Sequence, residues 1–159
     1  MSKKILIVDD SALMRRVICD IINTDKQFQA NDVCRDGLEA YERLKTTSYD
    51  AVILDVNMPK MDGVQLLKEL NKYRIQIPVL IVSSIASQSA DETIEALALG
   101  AFDFVKKPNG SIGGGYQEFR KKVLLRTYMA CKLPLPKKVE QSILEQQSQV
   151  QSQLKNVES

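Results

Sequence analysis

Short apolar runs that each stop at a polar residue limit the folds open to this chain more than any other feature. Lys4-Ile5-Leu6-Ile7-Val8 leads into Asp9-Asp10, Ala51-Val52-Ile53-Leu54 into Asp55, and Val79-Leu80-Ile81-Val82 into Ser83-Ser84. A strand with one wet face alternates apolar and polar side chains, whereas an unbroken run fits a strand covered on both faces. Two further strands are expected, around Phe28 to Cys34 and from Phe102 to Lys106, the latter ended by Lys107-Pro108.

The segments between the runs read as helices. Ser11 is placed to cap one that carries Leu13, Val17, Ile21 and Ile22 at helical spacing to about Asn23. Asp36-Gly37 forms a turn before Leu38, Tyr41 and Leu44, and the loop from Asn57 to Gly63 precedes Val64, Leu67 and Leu70. A helix from about Ala90 to Leu99 closes on Gly100, suited to a left-handed cap, and a last one runs from Tyr116 to about Cys131. Strands and helices alternating in this way predict an α/β fold, a parallel sheet with helices on both faces.

At 159 residues the chain accommodates one ordinary domain and a short remainder. The expected division is a domain over 1–131 and a linker or tail over 132–159. Leu133-Pro134-Leu135-Pro136 breaks the pattern there, and a sparse stripe of Val139, Ile143, Val150, Leu154 and Val157 leaves helical and disordered forms both open. A net charge of +2 predicts no commitment to nucleic acid or to a membrane surface. Without a long apolar stretch or a signal-peptide core, a cytoplasmic location and no membrane insertion are expected. Cys19, Cys34 and Cys131 are odd in number and far apart, so reduced thiols are the expectation. The chain has no histidine, which closes Ser-His-Asp hydrolysis and His-ligated metal chemistry to it acting alone.

In an open parallel sheet, ligands collect outside the carboxyl ends of the strands. Those ends carry Asp9, Asp10, Asp55, Ser83 and Lys107. Taken singly, Asp-Asp after a strand is an ordinary polar end and Lys-Pro an ordinary turn; together they converge on one edge. Carboxylates in a cluster repel by about 4 kcal/mol per pair at about 4 Å and an effective dielectric near 20, so they call for a cation. An oxygen-only acidic site suits Mg2+, which keeps several waters and leaves room for a phosphate oxygen. With Lys107 adding positive charge and Ser83 a hydroxyl donor, the set fits in-line phosphoryl transfer onto a carboxylate.

Val8-Asp9-Asp10-Ser11, Leu54-Asp55-Val56-Asn57-Met58-Pro59 with Met61-Asp62-Gly63, Val82-Ser83-Ser84, and Gly100-Ala101 followed by Phe104-Val105-Lys106-Lys107-Pro108 resemble the response-regulator receiver family. The match runs from residue 3 to about 130. It implies a flavodoxin-like (βα)5 doubly wound five-stranded parallel sheet with strand order 2-1-3-4-5, and a sensor histidine kinase as phosphodonor. By position, the resemblance makes Asp55 the phosphoacceptor, Asp10 a direct magnesium ligand, Asp9 a ligand through water, and Asn57 a ligand through its backbone carbonyl. Ser83 would bond the phosphoryl oxygens and Lys107 bridge toward Asp55. Phe104 would turn inward on activation, although an aromatic in a strand is otherwise ordinary core. The output surface implied is helix 4, strand 5 and helix 5.

Asp10-Ser11-Ala12-Leu13-Met14-Arg15, the paired Ser83-Ser84, and Lys107-Pro108-Asn109-Gly110-Ser111-Ile112 are similar to one branch, the regulatory part of the chemotaxis protein-glutamate methylesterase. That branch implies a chemotaxis-type kinase and a methylesterase output outside this chain, which is itself expected to be no enzyme beyond phosphoryl transfer to itself and autodephosphorylation. Asn57 departs from it, since glutamate is common two residues after the acceptor. A stand-alone receiver acting by direct partner binding is the alternative. A phosphatase with an aspartyl nucleophile is a weaker one, because Asn57 breaks its D-x-D signature. Asn109-Gly110-Ser111-Ile112-Gly113 nearly matches a G-x-S-x-G nucleophile elbow, but Asn109 replaces the first glycine and no histidine activates Ser111.

Overall fold

The computed structural model describes residues 2–84, 87–108 and 115–136, with the backbone alone for 87–90. Strands β1 (Lys3–Val8), β2 (Phe28–Cys34), β3 (Ala51–Leu54), β4 (Val79–Ser83) and β5 (Asp103–Lys106) alternate with helices α1 (Ala12–Asn23), α2 (Gly37–Thr46), α3 (Gly63–Lys72), α4 (Ser87–Ala98) and α5 (Tyr116–Ala130). The strands form one sheet in the order β2-β1-β3-β4-β5, every neighbouring pair parallel. This is the flavodoxin-like arrangement that the receiver resemblance implies.

Why the runs are unbroken is plain from the two layers they serve. Leu6, Val8, Val52, Leu54, Val79 and Ile81 point into a core that includes Ala40, Leu44, Leu66, Leu67, Leu70 and Ala96 of α2, α3 and α4. Ile5, Ile7, Ala51, Ile53, Leu80 and Val82 point the other way, against Ile18, Ile21 and Ile22 of α1 and Phe119 and Val123 of α5. Both faces of each central strand are dry, so neither set of alternating positions can be polar.

Two helix positions differ from the sequence expectation. Leu13 is 72% exposed and Leu38 43%. The packed arc of α1 is set by Met14, Val17, Ile18, Ile21 and Ile22, and Leu13, one residue before the first of these, falls outside that arc. α4 also begins a turn earlier than the apolar spacing indicated, because its opening residues Ser87-Gln88-Ser89 carry no apolar signal.

Three helices end in the same way. After α5 the N–H of Leu133 donates to the carbonyl of Tyr128 at 3.0 Å and that of Lys132 to Met129 at 3.1 Å. After α3, Ile75 and Arg74 donate to Leu70 and Asn71 in the same pattern, and after α4, Ala101 and Gly100 donate to Ala96 and Leu97. This double bond turns the chain through a left-handed residue and tucks in the apolar one that follows. Only at Gly100 is that residue a glycine; Arg74 and Lys132 adopt φ of 55° and 56°. Leu133 and Leu135 then pack against the α1/α5 core, so apolar packing continues past Cys131. The stripe from Val139 to Val157, and Ser111 with its glycine neighbours, lie outside the described residues.

Candidate functional site

Register alone brings the first two carboxylates together. Val8 pairs with Leu54 across β1 and β3, so Asp9 and Asp55 emerge side by side from adjacent strands. The ladder continues one bond further: the Asp55 N–H donates to the Val8 carbonyl at 2.9 Å and the Asp9 N–H to Cys34 at 3.1 Å. Carboxylate oxygens of Asp9, Asp10 and Asp55 all lie within 4.8 Å of one another. Asp9 and Asp55 are buried, at 1% and 6% exposure, and Asp10 faces solvent.

Lys107 arrives from the end of β5, its N–H held by the Ser83 carbonyl at 2.9 Å. Its Nζ stands 2.9 Å from Asp9 Oδ2 and 3.3 Å from Asp55 Oδ2, so one ammonium is shared between two buried carboxylates. Burial pushes the Asp55 carboxyl up to about 6; Lys107 opposes that shift and Asp9 reinforces it. Burial pulls the Lys107 ammonium down, but the combined attraction of Asp55 and Asp9 outweighs it and its pKa is raised. Lys107 pairs with the two buried carboxylates of a cluster of three, which leaves the carboxylates in excess over the ammonium they share. Oxygen is the only donor type in the cluster, and exposed Asp10 leaves one side open to water. That combination fits Mg2+, which prefers oxygen ligands and retains part of its hydration shell.

The loop after Asp55 is held from several sides. The Asn57 N–H donates to Asp55 Oδ1 at 3.4 Å, setting its peptide beside the carboxylate. Met58 is buried and Met61 packs against the α2/α3/α4 core. Lys60, after Pro59, has a φ of 66°, a conformation disfavoured for a residue with a side chain. Asp62 caps α3 in a reciprocal box with Gln65, accepting from its N–H at 2.8 Å and donating back at 3.0 Å. Gly63 is needed for approach: a Cβ there would stand 2.9 Å from both the Asp55 carbonyl oxygen and Val56 Cα. Gly37 serves the same loop from α2, donating its N–H to the Met61 carbonyl at 2.8 Å, where an added Cβ would fall 2.0 Å from that oxygen.

The sequence reading of Asp36-Gly37 as a turn therefore caught half its role. Asp36 is the helix cap, accepting from Glu39 N–H at 2.8 Å, and Gly37 lets α2 touch the acceptor loop. Two polar partners had no role assigned from the sequence. Arg15 Nη1 donates to the Asp9 carbonyl at 2.7 Å. Thr93 of α4 lies 3.0 Å, Oγ1 to Oγ, from Ser83, both residues buried. Phe104 is 37% exposed while its neighbour Val105 is buried, so its ring is not core. Among the described residues no helix is long and apolar enough to cross a membrane, and the three cysteines are free.

Residues 5–112 match the family model described as the response regulator receiver domain. A protein-glutamate methylesterase/protein-glutamine glutaminase of Pyrococcus horikoshii is 41% identical over 131 residues, which cover 82% of this chain and 35% of that protein. The chain therefore spans about a third of the length of the curated relatives it matches. Among solved structures, the response regulator domain of Thermotoga maritima CheB is similar with a TM-score of 0.73 and 35% identity, covering 85% of this chain and all of that one. The CheX-CheY-BeF3-Mg+2 complex from Borrelia burgdorferi is similar with a TM-score of 0.65 and 29% identity, over 80% of this chain and 87% of that one.

Proposed function

Because the chain belongs to the response regulator receiver family, we propose that Asp55 accepts a phosphoryl group from the phosphohistidine of a chemotaxis-type sensor kinase, and that the phosphorylated domain restrains or releases a methylesterase output. The observation that carries this reading is the buried Asp55 carboxylate set among Asp9, Asp10 and Lys107 at one sheet edge. In this reading Asp9, Asp10, Asp55 and the Asn57 carbonyl hold Mg2+. When bound, the ion neutralises charge on the transferring group.

A carboxylate oxygen of Asp55 attacks phosphorus in line, the P–N bond to the kinase imidazole breaks, and an acyl phosphate forms on Asp55. Lys107, already shared between Asp55 and Asp9, follows the added negative charge, and the Ser83 hydroxyl donates to a phosphoryl oxygen. Burial makes the unphosphorylated carboxylate costly, which favours its conversion to the acyl phosphate, whose charge lies further out, against a cation. Ile94, Phe102 and Phe104 are exposed apolar residues on or beside α4 and β5, and that surface, with α5, is the proposed contact for the output. Residues 1–131 would act as the receiver and 132–159 as the connection to what it controls.

With Mg2+ and acetyl phosphate, the chain should gain one acid-stable, base-labile phosphoryl group, and Asp55→Asn should gain none. Intact-mass measurement reads this directly; equal labelling of Asp55→Asn sinks the assignment.

A further inference from the structure

The hydroxyls of Ser83 and Thr93 form a buried pair that the chemistry at Asp55 leaves unexplained. Ser83 ends β4 at 2% exposure, and Thr93 is on the inner side of α4 at 6%, next to Ile94, which is 66% exposed. Their oxygens are 3.0 Å apart, and either can donate to the other. A hydroxyl has one hydrogen and two lone pairs. If Ser83 spends its hydrogen on Thr93, it has none for a ligand in the pocket; if Thr93 donates, the Ser83 hydrogen is free to point there.

We infer that Thr93 is a positioning residue for Ser83: in the phosphorylated domain the Thr93 O–H donates to Ser83 Oγ, and the Ser83 O–H donates to an oxygen of the phosphoryl group. This rests on the proposed role of Asp55 as acceptor. With the Ser83 hydrogen on a phosphoryl oxygen, a hydrogen bond between the two hydroxyls runs from Thr93 to Ser83. Chained donors polarise one another. The same bond ties the filled pocket to α4, because Thr93 is the α4 side chain that meets Ser83.

The test uses the full chain with Mg2+ and beryllofluoride as the phosphoryl mimic, followed by 19F NMR, with Mg2+ affinity measured separately by calorimetry. Thr93→Val, which keeps shape and removes the hydroxyl, should weaken beryllofluoride binding roughly fivefold, the effect of one neutral hydrogen bond, and leave Mg2+ affinity unchanged. Thr93→Ser should restore wild-type binding. In a Ser83→Ala background, Thr93→Val should cost nothing further. Thr93→Cys, with a weaker donor, should give an intermediate loss and serves if Thr93→Val does not fold. Unchanged beryllofluoride binding without the Thr93 hydroxyl, or an equal loss in the Ser83→Ala background, overturns the inference. Failure of the wild type itself to bind beryllofluoride instead overturns the acceptor reading, and the role of Thr93 falls with it.

Discussion

The two halves of the pocket are held differently. On the β1/β3 side, Asp9 is fixed through its carboxylate by the Ser11 N–H and Lys107 and through its carbonyl by Arg15. The acceptor loop there is pressed between Gly37 and Gly63 with no room for a Cβ at either. On the β4/β5 side, Ser83 meets α4 through a single described side-chain bond, and Ile94 and Phe104 stand exposed on the outer surface. Among the described residues the acceptor side carries the closer packing, which suits a domain whose chemistry must stay in register while its surface reports the result.

Gly37→Ala should produce the largest effect if the acceptor side is as tight as its contacts indicate. A methyl group 2.0 Å from a backbone oxygen forces α2 off the loop, at a cost of about 3 kcal/mol in urea unfolding. Gly100→Ala, where φ is 107° but nothing lies within 4 Å, offers the contrast of backbone strain without a clash. If the Gly37 variant loses no more than the Gly100 variant, the contrast between the halves is wrong.

Asp55→Asn should stabilise the domain when Mg2+ is chelated. The folded carboxyl sits at about 6 against an ordinary 3.8, so between those values the folded state binds the extra proton and stability falls as pH rises. The penalty is complete above the folded value, and Asn does not carry it, while Lys107 keeps Asp9 as partner. The variant should gain about 2 kcal/mol at pH 8, with the gain gone near pH 4. Thermal unfolding at both pH values reads the sign, and a gain that grows toward acid contradicts it.

Lys60→Gly sharpens the picture of a strained acceptor loop. Relief of its left-handed conformation should raise stability by about 1 kcal/mol, seen as a higher urea midpoint with unchanged slope. Smallest of all, Phe104→Ala on the exposed side should shift stability by less than about 0.5 kcal/mol while weakening output binding measured by titration with the phosphorylated domain. A large loss of stability would place Phe104 in the core after all.

Much of the site was legible because dry strands leave few places for charge. Asp9, Asp55 and Lys107 each follow an apolar or strand-like run, so the edge of the sheet was the one place for them, and the structure brings them within contact. Thr93 and Arg15 were not legible: a threonine or arginine on a helix reads as solvated polar face until the helix is set against the sheet. Leu13 and Leu38 misled for the same reason, since local spacing gives a stripe but not where the packed arc stops.

The amino-acid sequence by itself determined the alternation of strands and helices, the parallel sheet buried on both faces, and the carboxylates at its edge. Those follow from local periodicity and from the cost of burying unpaired charge, both of which act within a few residues of chain. Only tertiary structure decided which hydroxyl meets Ser83, why Gly37 and Gly63 admit no side chain, and that Leu133 and Leu135 return to the core. Each of these is a contact between separate helices, strands or loops, some of them close in the chain, set by how the packed layers close on each other, which no single segment encodes.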